Sequence, residues 1–264
     1  MSKTVTRGIE KELQDNRKFT DSIDLDFYAQ LFKRRLQSDD LAKVRDLLVY
    51  VFLGFGIQRA QAATHRPAAV KYASCAEAMN CSMRSRILTV DDVRLDWDNY
   101  AVWWGLRHSK GDPFGRRKGK DSRDWTPTAG CKSAKHPIDV VALYVHYCKL
   151  MGFTTQRHGR LFEKTKDVPF FQEIKKGKAT GQPLLYSTTL ANLKKTVDEE
   201  FPALNSLDVG THVFRRFGAT LAKCKGLPDD IIQYMGRWVS DTFQRYFMFS
   251  DKDKVGMSSA LLPS

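Results

Sequence analysis

No run of about 18 apolar residues occurs in this chain, so no membrane-spanning helix is expected. Its five cysteines, Cys75, Cys81, Cys131, Cys148 and Cys224, are odd in number and form no C-x-x-C pair. That argues against a disulfide framework and a zinc site, and for a reducing compartment. His65, His136, His146 and His158 lack metal-ligand spacing, so no metal and no other cofactor is expected. Internal repeats and low-complexity tracts are missing too. The stretch from Met1 to Asn16 is polar and lacks an apolar core, and does not read as a secretory signal. Acidic residues are comparatively scarce, 30 against 43 Lys and Arg, leaving a net charge of +13. A balance this basic points to a polyanionic partner, nucleic acid first.

With 264 residues, 42% of them hydrophobic, the chain can bury a sizeable core in one large domain, alone or with an appendage. Residues 1–37 are charged, with one apolar cluster at Phe27, Tyr28, Leu31 and Phe32 that suggests a helix or two leading into the core. Leu41, Val44, Leu48, Val51, Phe52 and Phe55 recur at helical spacing and predict a long buried stripe. Ser38 is the expected cap, with Asp39 and Asp40 in the first turn. Gly54 and Gly56 weaken the end of this helix just ahead of Arg59. The Ala-rich stretch from Ala68 to Met79 fits a helix or an inserted loop.

Ile87 to Val90 and Tyr100 to Trp104 are rich in β-branched and aromatic residues and predict strands. Residues 107–124 then form a basic, glycine-containing hairpin or loop, with Arg107, Lys110, Arg116, Arg117, Lys118, Lys120 and Arg123. Such a density of charge favours phosphate contact over a merely solvated loop. The remainder reads as mainly helical. Pro137 starts a helix running to about Met151 and Gly152. Ser187 caps another with the face Leu190, Leu193, Val197 and Phe201. Thr211 caps a third, closed by Gly226, and Pro228 opens a short fourth. Ser240 caps a last helix that carries Tyr246.

The chemistry-bearing residues cluster near the C-terminus. His212 and Arg215 stand three apart, so one helix face carries both. Gly236-Arg237-Trp238 follows, then Tyr246. A phosphodiester under attack gathers charge on its non-bridging oxygens, and a guanidinium stabilises it as a permanently cationic bidentate fork. A tyrosine hydroxyl can attack and form a covalent ester. The departing 5′-oxygen needs a proton, which a lysine or histidine supplies. The Trp238 indole N–H can donate to a phosphate oxygen but cannot shuttle a proton. Singly, each residue has a plain structural reading: His212 as a core histidine, Trp238 as packing, Arg216 as a surface charge or a DNA-backbone contact. Tyr234, in the helix before Gly236, reads as structural. In register, they point to one site.

The segment from Thr211 to Tyr246 resembles the C-terminal signature of the tyrosine recombinase (phage integrase) family: H-x-x-R, then G-[HR]-[HW], then a tyrosine on the next helix. The resemblance implies a mainly α catalytic domain with a small antiparallel β-sheet (α+β), an upstream arginine and a hairpin lysine. Ser109-Lys110 with Phe114-Gly115 is similar to the S-K-T-x-x-F-G hairpin of Crypton/DIRS-like eukaryotic mobile-element recombinases, which makes Lys110 the candidate general acid. His136-Pro137 also resembles that subgroup. Arg59, after the long apolar helix, is favoured as the upstream arginine, with Arg84 next.

The expected catalytic set is therefore Arg59, Lys110, His212, Arg215, Trp238 and Tyr246. Arg107, Arg116, Arg117, Lys118, Lys120, Arg216 and Arg237 are the expected DNA contacts. The resemblance implies DNA cleavage and rejoining through a 3′-phosphotyrosyl link, in site-specific recombination or integration of a mobile element. Partners would be double-stranded DNA and further copies of the chain, as a tetramer on DNA, in the nucleus if the host is eukaryotic. Residues 1–37 would be a reduced or truncated DNA-clamping region, 38–250 the catalytic domain and 251–264 a tail. Two alternatives stay open: relaxation like that of a type IB topoisomerase, and a recombinase-derived protein that binds DNA without cutting it.

Overall fold

A computed structural model describes residues 23–65, 87–106, 124–130, 137–153 and 168–238, together with Gln244. Helix α1 (Leu25–Arg35) starts at Asp24, whose carboxylate accepts from the Phe27 amide at 2.9 Å. Its apolar cluster turns inward: the Phe27 ring lies 4.4 Å from Phe201, and Tyr28 donates to the Tyr50 carbonyl at 2.8 Å. Arg35, buried at the last turn, pairs with Glu200 and Thr196.

Helix α2 (Leu41–Gly54) is the centre of the fold. The expected stripe is too narrow, because Leu47, Val49, Tyr50 and Leu53 are buried as well. A helix apolar all round is one surrounded by other elements. Its cap is Asp40, which accepts from Ala42 and Lys43, while Ser38 accepts from the Asp40 amide one step earlier. Two polar residues also sit inside: Arg45 forks onto Asp46 at 2.7 and 2.9 Å and donates to the Gln172 carbonyl. Asn192 completes the Asp46 carboxylate at 2.9 Å. The two charges are tolerable at this depth because they are paired with each other and hydrogen-bonded to their surroundings.

A three-stranded antiparallel sheet covers one flank: β1 (Val93–Asp96), β2 (Ala101–Leu106) and β3 (Asp124–Ala129), in that order. Val102 and Trp104 face the core, where the Trp104 ring lies 4.8 Å from Phe52. The predicted first strand begins later than Ile87 to Val90. Thr89 donates to Asp92 through both its amide and its hydroxyl, at 2.9 and 2.8 Å, and this local closure turns Val90–Asp92 into a 3-10 turn.

Helix α3 (Ala60–Ala63) is a single turn after Arg59. Helix α4 (Val140–Met151) is capped by Asp139, not opened by Pro137, and ends at Gly152 with φ of 68°. A hairpin, β4 (Gln172–Lys175) and β5 (Lys178–Pro183), interrupts the region read as helical. Lys176 and Gly177, both at positive φ, close it as a two-residue turn. Helix α5 (Tyr186–Glu200) begins before Ser187 and has no side-chain cap. Helix α6 (His212–Cys224) ends ahead of Gly226, which is left-handed at φ of 77°. Helix α7 (Asp229–Gly236) follows Pro228 as expected. The Ala-rich stretch, the basic loop and the helix expected from Ser240 lie outside the described residues. Among the described residues, no helix is long and apolar enough to cross a membrane.

One close crossing positions the candidate site. A Cβ on Gly218 of α6 would lie 1.9 Å from the Gly54 carbonyl oxygen of α2. Because the obstacle is backbone, no side chain can move aside. Gly218→Ala is expected to destabilise the fold by about 3 kcal/mol, the upper end for overpacking. A denaturant titration checks this, and an unchanged midpoint would refute the crossing.

Candidate active site

The crossing brings the chain that leaves α2 against α6. Two backbone bonds terminate α2: the Ile57 amide donates to the Gly54 carbonyl and the Gln58 amide to the Leu53 carbonyl, both at 3.0 Å. The left-handed residue in this cap is Ile57, at φ of 53°, and neither glycine takes that role. A β-branched residue there is strained, by roughly 1–2 kcal/mol. Burial offsets the strain, since Ile57 packs in a small apolar cluster with Ala219, Ile232 and Trp238. Arg59 emerges next, half-buried, at the start of α3.

Arg215 points from α6 into the same region and is only 2% exposed. Its Nη2 donates to the Gly236 carbonyl at 2.5 Å, and its guanidinium carbon lies 3.8 Å from the centroid of the Trp238 ring. A guanidinium stacked on an indole gains cation–π energy and keeps its charge. Trp238 is 7% exposed. Gly236 is required for this stack, because a Cβ there would fall 1.6 Å from the Trp238 ring. Between them, Arg237 takes the left-handed conformation, φ of 54°, that reverses the chain. The glycine of the Gly-Arg-Trp motif thus has a steric reason.

His212 lies one turn before Arg215, on the solvent side of α6. Its pKa is lowered, first by the neighbouring atoms that displace water, then by the charges of Arg215, Arg216 and Arg59. The residue still touches solvent, so water moderates these effects. The structure therefore brings Arg59, His212, Arg215 and Trp238 together. Arg216 and Arg237 are half-buried beside them. Lys110, Tyr246, Arg84, Arg107, Arg116, Arg117, Lys118, Lys120 and Arg123 lie outside the described residues. Tyr234 is 65% exposed on α7 and takes no part in the core. His146 donates its ring Nε2–H to the Ser38 carbonyl, 2.8 Å away. Sequence reasoning missed Gln58, which is buried and whose only signal was its adjacency to Arg59 in the chain.

Neutralising a cation near His212 favours the imidazolium, so Arg59→Gln is expected to raise the depressed His212 pKa. An NMR titration of the ring protons reads this, and an unchanged curve would place Arg59 out of reach. A base whose folded pKa is depressed binds protons more readily in the unfolded chain. The contribution of His212 to stability is therefore present above the unfolded value, about 6.5, and lost as pH falls from there through the depressed folded value.

Neither a protein-family model nor a curated protein sequence matches this chain. Among solved structures, it is similar to XerH site-specific recombinase bound to palindromic difH substrate, a post-cleavage complex, at 14% identity and a TM-score of 0.51, over 92% of this chain and 53% of that one. XerH bound to difH in a pre-cleavage complex gives 15% identity and a TM-score of 0.49, over 93% of this chain and 55% of the other. The chain thus spans about half the length of these structures. The first likeness is one of fold: an α+β arrangement like the catalytic domain of tyrosine recombinases, mainly helical with small antiparallel sheets.

Proposed function

We propose that this chain breaks and rejoins DNA strands through a 3′-phosphotyrosyl intermediate, as a site-specific recombinase. The observation that carries the reading is the approach of Arg59, from the turn after α2, to His212 and Arg215 of α6 beside Gly236 and Trp238. Three cationic or hydrogen-bonding side chains gathered in one region suit a pentacoordinate phosphate, which bears more charge than the diester it comes from.

In the proposed reaction, the Tyr246 oxygen attacks the scissile phosphorus. The bond from phosphorus to the 5′-oxygen breaks, and that oxygen takes a proton from Lys110. The tyrosine proton passes to a base, for which His212, kept neutral by its surroundings, is suited. Arg59 and Arg215 hold the non-bridging oxygens, and Trp238 orders Arg215. One phosphate ester replaces another, so the step reverses when a 5′-hydroxyl attacks the phosphotyrosine. The basic loop, with Arg107, Arg116, Arg117, Lys118 and Lys120, would hold the backbone of the duplex together with Arg216 and Arg237. Its resemblance to mobile-element recombinases supports element integration or excision as the setting.

Covalent trapping tests the reading. The chain is incubated without metal with nicked duplexes whose cleaved fragment diffuses away. An adduct that survives denaturation is the expected result. The second reading, DNA binding without chemistry, draws on the 2% exposure of Arg215. Binding with no adduct across several candidate sequences would move the conclusion there.

A further inference from the structure

We propose that Gln58 is a positioning residue that sets the two arginines of the site against one another through the C-terminal end of α7. The inference rests on the proposed function for its catalytic meaning, but its geometry stands apart. The Gln58 side chain is 2% exposed, and its Nε2 donates to the Met235 carbonyl at 2.8 Å and to the Gly56 carbonyl at 2.6 Å. Both partners are acceptors, so the amide nitrogen must face them and both of its protons are used. The next carbonyl along, that of Gly236, takes the Arg215 guanidinium. Adjacent residues of α7 therefore anchor the segment bearing Arg59 and the side chain of Arg215.

Among the described residues, the Gln58 amide is the hydrogen-bonded tie between segment 55–59 and α7. The cap it stabilises holds Ile57 in a conformation that favours glycine. Without the amide, the Met235 and Gly56 carbonyls lose a buried donor, and the loop loses the bond opposing its strain. Relaxation of Ile57 swings the residue two positions later, Arg59, away from α6. Gln58 thus acts through Arg59.

The test is Gln58→Met, which preserves length and charge but removes both donors, with Gln58→Asn as a milder variant should the first fail to fold. The His212 titration is read by NMR in the parent, in each variant, in Arg59→Gln and in the double substitution. The expected result is a rise in the His212 pKa that matches the direction seen in Arg59→Gln and is absent when Gln58→Met is added to Arg59→Gln. A purely structural role would not give that non-additivity. Adduct formation on nicked DNA should fall on the order of 10²-fold with binding retained, the scale of a misplaced catalytic group. A folded variant with an unchanged His212 curve overturns the proposal. If the parent forms no adduct, the proposed function fails, while the His212 comparison still decides the role of Gln58.

Discussion

Replacing Tyr246 with phenylalanine is expected to abolish covalent capture of DNA while the fold and duplex affinity persist. The substitution removes one oxygen and keeps the ring, so side-chain volume changes little, whereas the proposed nucleophile is gone. No other group on the ring can form the ester, and loss of a covalent nucleophile costs a factor on the order of 10⁶. Capture on nicked duplexes should therefore drop below detection. Tyr234→Phe is the matched control. Tyr234 is exposed on α7, so its hydroxyl is available to solvent and a chemical role for it is testable. Capture that survives Tyr246→Phe and disappears in Tyr234→Phe would transfer the nucleophile to α7. Capture that survives both would end the tyrosine mechanism.

Arg215→Ala carries the next largest effect, and it acts twice. Removing one preorganised donor to transition-state charge slows such reactions about 10²- to 10³-fold. The same change deprives the buried Gly236 carbonyl of the donor at 2.5 Å, which costs about 1–3 kcal/mol. It also leaves the Trp238 ring without the cation stacked on it. Arg215→Lys separates the two effects. It retains the charge but not the planar fork, so stability should recover in part while capture stays well below the parent. Thermal melting followed by tryptophan fluorescence reads the first, and trapping reads the second. A folded Arg215→Ala protein that captures DNA at the parental rate would remove this arginine from the site.

Several elements are legible in residue spacing alone. The apolar recurrence from Leu41 to Phe52 marks a buried helix, and Gly152, Gly226 and Pro228 mark helix limits that the fold respects. The hairpin β4–β5 is not legible in this way, because Lys176-Gly177 is a weak turn signal between polar residues whose pairing depends on Arg45 and Gln172. The cap of α2 falls at Asp40 and not at Ser38, two residues earlier, as Ser38, Asp39 and Asp40 all offer the same local chemistry. The buried surface of α2 is wider than its spacing suggests, since periodicity reports one face and burial on every side depends on what surrounds the helix.

The sequence by itself determined the basic character of the chain, the helical class and the order of its chemical groups, from His212 and Arg215 to Trp238 and Tyr246. Those follow from local spacing and from residue chemistry, which need no tertiary information. Only the tertiary structure decided that Arg59 comes close to His212 and Arg215. Its approach depends on the Gly54–Gly218 crossing, the strained turn at Ile57 and the bond from Gln58 to Met235, contacts between residues far apart in the chain. No periodicity encodes such contacts, because each arises from the fit of one backbone against another.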